Sequence, residues 1–211
     1  MDAIILFFQN GGVFMYPIVI IFALGFAIAI ERYLYLRSIG AENRNLSAEI
    51  APVLMQGDHE KALQMVAKSK ATIGKILDYG LQRTKTARQR DEIETAMEEG
   101  LMEILPRLER RTHYLAIFAN IATLLGLLGT IIGLIQAFTA VATASPAEKA
   151  DMLSASISVA MNTTAFGLMV AIPLLLVHAL LQTKTTELVD SLEMSSVKFL
   201  NIISRWSEKA A

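Results

Sequence analysis

The sequence predicts an all-α integral membrane protein. Three transmembrane helices run N-terminus out and C-terminus in, with a helical cytoplasmic loop and helical extensions of the second and third spans. Three observations carry this reading. The runs Ala3–Ile30, Thr112–Ala147 and Met152–Thr183 contain no Asp, Glu, Lys or Arg, and each exceeds the roughly 20 residues a helix needs to cross the hydrocarbon core. Lys and Arg are segregated: none before the first span, thirteen from Arg37 to Arg111, one (Lys149) between the second and third spans, and four after the third. Cytoplasmic segments carry that excess, so the long loop and the C-terminus are read as inside. Between the spans, apolar residues recur at threes and fours, the helical period.

Of 211 residues, 54% are hydrophobic and only 18% are charged, so the charges must collect in the loop and tail. There is no cysteine, which excludes a disulfide framework and a thiolate metal site. A net charge of −1 gives no support for nucleic-acid binding.

Residues 1–12 read as an outer interfacial segment that stops at Asn10-Gly11-Gly12. Asp2 is acidic and no basic residue precedes the apolar run, so an uncleaved span is expected rather than a signal peptide. The first transmembrane helix takes 13–36, with Pro17 in its first turns, where a missing amide is tolerated. Tyr33 and Tyr35 lie near its inner interface. Its bulky Ile, Phe and Leu predict a lipid-facing span.

The cytoplasmic loop, 37–111, reads as helical throughout. Leu46–Gln56 is apolar at helical spacing and stops at Gly57, and Asp58 is placed to cap the next helix. That helix buries Ala62, Leu63, Met65 and Val66. Thr72–Arg83 follows with Ile73, Ile76, Leu77 and Leu81 on one side. From Asp91 a long helix carries Ile93, Met97, Leu101, Ile104, Leu105 and Leu108 and runs without a stop into the second span, 112–144. Only Pro106 interrupts it, predicting a kink.

A periplasmic turn spans 145–151 and the third transmembrane helix 152–183. The C-terminal segment, 184–211, keeps a near-heptad stripe of Leu188, Leu192, Ser195, Phe199, Ile202 and Trp206, an amphipathic continuation of the third span. No internal repeat is visible, which argues against an inverted-repeat transporter.

One helical stripe of the second span is built only of small residues: Ala119, Thr123, Gly126, Thr130, Gly133, Ala137, Ala140 and Ala144. In lipid there is no hydrophobic force between helices, so such a stripe marks close backbone approach. The third span answers with Ser156, Ala160, Thr164, Gly167 and Ala171, and places Asn162 and Thr163 beside them. Gly126, Gly133 and Gly167 are therefore expected to pack helices. Thr130, Asn162, Thr163 and Thr164 support two readings: interhelical hydrogen bonds, or oxygens along a path for a small cation. Neither span contains a carboxylate, so a proton relay needs one from a partner.

Other groups point to no chemistry. Glu31 and Arg32 read as snorkelling or paired at the headgroups. His113 and His178 read as interfacial, and His59 as solvated. No HExxH, GxSxG or P-loop pattern occurs, and no two histidines have metal-ligand spacing. No catalytic residue, resident metal or cofactor is expected.

The stretch Ala119-Asn120-Ile121-Ala122-Thr123-Leu124-Leu125-Gly126-Leu127-Leu128-Gly129-Thr130-Ile131-Ile132-Gly133 resembles the second-span signature of the MotA/TolQ/ExbB proton channel family. Ala160-Met161-Asn162-Thr163-Thr164-Ala165-Phe166-Gly167-Leu168-Met169-Val170-Ala171-Ile172-Pro173 resembles its third-span signature. The length resembles the ExbB/TolQ branch rather than the four-span flagellar stators. The resemblance implies a pentamer in the bacterial inner membrane around single-span ExbD- or TolR-like partners whose intramembrane Asp carries the ion. Thr130 and Thr164 match the family's pathway threonines. It further implies that proton motive force energises periplasmic or outer-membrane work such as TonB-type transport, through a TonB- or TolA-like protein. Where ExbB and TolQ usually carry a glutamate, five residues before the third-span threonine, this chain has Val159. That departure leaves sodium open beside protons, and a non-conducting scaffold is the other alternative.

Overall fold

The computed structural model describes residues 11–84, 86, 89–143, 145 and 147–210, with side chains omitted at 143 and 206–210. The interfacial segment expected before Gly11 lies outside the described residues, as do Ala144 and the side chain of Trp206. Every regular element among the described residues is an α-helix: α1 Met15–Gln56, α2 His59–Lys68, α3 Thr72–Arg83, α4 Arg90–Glu109, α5 Thr112–Thr143 and α6 Lys149–Ala210. Among the described residues three stretches are long and apolar enough to cross a membrane, in α1, in α4–α5 and in α6, so this is a multi-pass membrane protein. α6 has 62 residues, or roughly 90 Å at about 1.5 Å per residue, far beyond a bilayer core of about 30 Å.

The helices divide into two compact units. One holds residues 11–31 and 111–181. Its buried face on α5 is Ala119, Ala122, Gly126, Gly129, Gly133 and Ala137, and on α6 Ala160, Thr163, Gly167, Val170, Ala171 and Leu174. Leu124, Leu127, Ile131, Ile135 and Phe138 are exposed, the arrangement expected of lipid-facing or subunit-facing side chains. The expected stripe is displaced by part of a turn: Thr123 is exposed, its hydroxyl donating back to the Ala119 carbonyl at 3.1 Å, while Ala122 and Gly129 take the buried positions. The first span is not uniformly bulky either. Gly25 and Ala29 are buried, and a Cβ on Gly25 would lie 2.7 Å from Leu174 Cδ2.

The other unit holds residues 32–110 and 182–210, and its core is large aliphatic. Ile50, Leu54, Ile73, Ile76, Leu77, Leu81, Ile93, Met97 and Leu108 are almost completely buried, with Leu192, Phe199, Leu200 and Ile203 from α6 in the same cluster. Removing this apolar surface from water supplies the driving force, at about 25 cal/mol per Å². Local signals act as read. Gly57 adopts φ 77° to end α1, and the Asp58 side chain accepts from Lys61 N at 3.1 Å to cap α2. Tyr79 donates to Glu103 Oε2 at 3.1 Å, and that carboxylate holds the phenol above its usual pKa.

Three expectations are corrected. Pro106 lies inside α4 and does not interrupt it; the helix from Asp91 toward the second span stops instead at Arg110–Arg111, where Arg111 takes φ 68°. A left-handed non-glycine residue costs about 1–2 kcal/mol, and Glu31 meets Arg111 at 3.2 Å across that turn. Arg32 does not snorkel into headgroups. It is buried, its guanidinium donates to the Leu108 carbonyl, and it stacks 4.8 Å from the Tyr35 ring centroid. Leu108 is in the last turn of α4, where carbonyls lack helical partners, and the arginine satisfies one. His59 is half-buried rather than solvated, with Nε2 2.7 Å from Thr84 Oγ1 and 3.1 Å from the Leu81 carbonyl.

Candidate functional site

α5 and α6 approach until backbone meets backbone. A Cβ added at Gly167 would lie 2.7 Å from the Ala122 carbonyl oxygen, and one at Gly126 would lie 3.2 Å from Thr164 Cα. Two turns further along α5, a Cβ on Gly133 would come within 2.9 Å of Ala160 Cβ. Gly167 and Gly133, two of the glycines read as packing residues, thus lie where another residue type would force the helices to shift, and Gly126, the third, lies where contact is already tight. Gly129 belongs with them, since a Cβ there would overlap the Thr163 methyl.

This proximity brings Thr130 and Thr164 together. Their hydroxyls are hydrogen-bonded to each other, and Thr164 donates to the Gly126 carbonyl at 2.8 Å. Thr130 Oγ1 also lies 3.2 Å from the Gly126 carbonyl and 3.4 Å from the Ala160 carbonyl. Two hydroxyls and two carbonyls converge, and both threonines keep partial exposure. A threonine hydroxyl has one proton to donate and two lone pairs to accept with. It therefore serves a carboxylate or a carboxylic acid equally, and its oxygen suits a small hard cation.

Thr163 and Asn162 are not part of this cluster. Thr163 is buried and its hydroxyl lies 2.6 Å from the Gly11 carbonyl and 2.9 Å from the Val159 carbonyl, tying the turn before α1 to α6. Asn162 is half-buried and precedes Thr164 by two residues, which at about 100° per residue sets the two side chains on nearly opposite faces. Val159 packs toward Gly12, whose Cβ position is 3.3 Å from Val159 Cγ1. The charge-free runs provide no carboxylate to the cluster. Among the described residues no group of His, Asp or Glu is arranged to hold a metal ion.

The sequence reading missed the Gly11 carbonyl as the partner of Thr163 and the small pair on α1. Gly25 and Ala29 stand four residues apart, the small-xxx-small spacing that reports close helix approach. That signal was present but outweighed by the bulky residues around it.

The chain is 30% identical over 189 residues to a biopolymer transport protein ExbB homolog of Methanothermobacter thermautotrophicus, covering 89% of this chain and 66% of that one. It is 36% identical over 94 residues to the biopolymer transport protein exbB1 of Vibrio cholerae, covering 44% and 40% of the two chains. To the biopolymer transport protein ExbB-like 1 of Synechocystis it is 28% identical over 186 residues, covering 87% and 72%. The chain thus spans just under two thirds of the first relative and less than half of the second. The MotA/TolQ/ExbB proton channel family matches residues 68–194, a stretch that contains both close-packed spans and the paired threonines. On that match, and with relatives that are ExbB-named throughout, the chain belongs to the MotA/TolQ/ExbB proton channel family, in its ExbB/TolQ-like branch.

Proposed function

We propose that this chain is the ion-path subunit of a motor complex in the bacterial inner membrane, which uses the proton motive force to energise periplasmic or outer-membrane work such as TonB-type transport. The observation that carries the reading is the meeting of the Thr130 and Thr164 hydroxyls over the Gly126 carbonyl, between spans that contain no carboxylate. Such a pair can hold a titrating acid in either protonation state, but it cannot itself take up a proton near neutrality. The acid therefore comes from a partner: an intramembrane Asp on a single-span ExbD- or TolR-like helix, enclosed by a homo-oligomer, in this family a pentamer. A TonB- or TolA-like protein would receive the work. Thr163 acts in this scheme by holding the turn before α1 against α6, and Asn162 is a further oxygen on a separate face. The ion is cargo, and no bound cofactor or covalent chemistry is required.

Val159 favours one second reading. With an aliphatic residue where relatives in this branch usually carry an acid, selection would rest on uncharged oxygens and the partner's carboxylate, which suits sodium as well as protons.

The test is reconstitution with the single-span partner in liposomes, with subunits counted by native mass spectrometry. A proton gradient alone should drive function, and Thr130→Val and Thr164→Val should each abolish it while leaving assembly intact, because valine keeps the volume and removes the hydroxyl. Drive by a sodium gradient alone would replace protons with sodium. Full activity of both variants would make the threonines packing residues and the chain a scaffold.

A further inference from the structure

A cavity of about 480 Å³ opens between the α1 continuation and the α6 continuation, wholly within the unit of residues 32–110 and 182–210. Its volume is that of a small-molecule pocket. Arg37, Arg44 and Lys184 line it with cations and Ser47, Ser191 and Ser195 with hydroxyls. Glu187 is the one carboxylate in the wall, one turn from Lys184, and leaves an excess of positive charge. None of these groups enters the ion path described above.

Asn43 makes the cavity more than a charged surface. It is 9% exposed, and its Oδ1 accepts from the Ile73 amide at 3.0 Å, in the first turn of α3. That bond fixes the amide, so the two Nδ2 hydrogens remain as donors, and Nδ2 is buried with no partner. A buried donor left without a partner is destabilising, and an acceptor that reached it from the cavity would relieve that penalty. Ile73 lines the same cavity. The N-terminus of α3, a 12-residue helix, therefore adds its positive dipole end to the three cations.

We propose that this cavity binds the phosphate headgroup of an anionic phospholipid, in the leaflet on the loop side of the membrane. Chain position identifies the source. Lys184 follows the charge-free run of the third span immediately, and Arg37 stands seven residues after Ile30, where the run of the first span ends. At about 1.5 Å per residue both cations lie within roughly 10 Å of the hydrocarbon boundary, where lipid phosphates are. Tyr33, also in the lining, is the residue type that settles at that depth. Basic pockets at this level hold acidic headgroups, each Lys or Arg contributing about fivefold in affinity. The site binds phosphate diester through charge and hydrogen bonds and demands nothing of the acyl chains.

The experiment uses the full chain in detergent, titrated with phosphatidylglycerol or phosphatidylcholine and read by native mass spectrometry. Inorganic phosphate and glycerol 3-phosphate form the soluble arms. Phosphatidylglycerol should bind in preference to phosphatidylcholine. Combined Arg37→Gln, Arg44→Gln and Lys184→Gln should weaken that binding by roughly a hundredfold. Combined Lys61→Gln, Lys68→Gln and Lys70→Gln, which removes as many cations from elsewhere in the loop, should leave it unchanged. Asn43→Asp keeps the acceptor for Ile73 but replaces the donor with a carboxylate, and it should also lose the lipid; circular dichroism checks that each variant is folded. Equal losses in the two triple variants would reduce the effect to general charge attraction and overturn the site. Unaltered binding in the cavity variants would overturn it as well, as would binding of the soluble phosphates without the lipid.

Discussion

Between α5 and α6 the buried residues are Ala119, Ala122, Gly126, Gly133, Ala160 and Gly167, whereas α2, α3 and α4 are joined through Ile73, Ile76, Leu77, Leu81, Ile93 and Met97. The sign of the pattern is reversed. On α5 most of the large apolar side chains point outward and the small ones inward; in the loop unit the large ones fill the core. The difference follows from the solvent. In water, burying a leucine removes apolar surface from contact with water, worth about 1.5–3 kcal/mol for a whole side chain. Lipid offers no such gain, so helices there associate through dispersion and hydrogen bonds that require backbones to touch. The threonine pair exists because of this: two hydroxyls on separate helices reach each other only where glycine lets the helices close.

The comparison breaks most severely at Gly167. Gly167→Leu is expected to prevent α5 and α6 from closing at all, since even a Cβ would meet the Ala122 carbonyl at 2.7 Å. The added methylenes exceed what small overpacking costs, about 1–3 kcal/mol. Recovery of the assembled complex after detergent extraction checks it, and normal yield would show that the spans separate without consequence. Next is Leu77→Ala, at a fully buried position of the loop core. A loss of about 2–5 kcal/mol is expected, measured as a lower midpoint in a denaturant titration followed by helicity. Asp58→Ala should be smaller, about 1 kcal/mol, because it removes one cap bond to the Lys61 amide. The same titration should resolve it. The smallest effect sharpens the contrast at a second glycine. Gly100 sits in α4 with Ile76 Cα 3.2 Å from its would-be Cβ, a tight contact but half an ångström looser than the 2.7 Å at Gly167. The helix propensity gained by alanine, about 1 kcal/mol, offsets it. Gly100→Ala should therefore shift stability by less than about 1 kcal/mol, where Gly167→Ala shifts it clearly downward. Equal penalties at the two glycines would remove the distinction between the two kinds of packing.

Much of this was legible in the amino-acid order. Three spans, a helical loop, the Asp58 cap, the Gly57 stop and the apolar faces of α2, α3 and α4 are all properties of neighbouring residues, set by the 3.6-residue period, by charge and by local backbone chemistry. The small-residue stripe located the close-packed face to within part of a turn, because composition tells which residues permit contact. Which of them are in contact depends on the partner helix, and that was decided in three dimensions. Thr130 met Thr164 across α5 and α6, while Thr163, its neighbour, turned instead to the Gly11 carbonyl. Arg32 was drawn under the end of α4 by an unsatisfied carbonyl 76 positions away, and His59 was drawn to Thr84 and Leu81. The helix broke at Arg110–Arg111, where Arg111 takes a left-handed conformation and meets Glu31, 80 positions away, rather than at Pro106. Each of these outcomes joins residues distant in sequence, and no local periodicity carries information about which distant group will be left needing a partner.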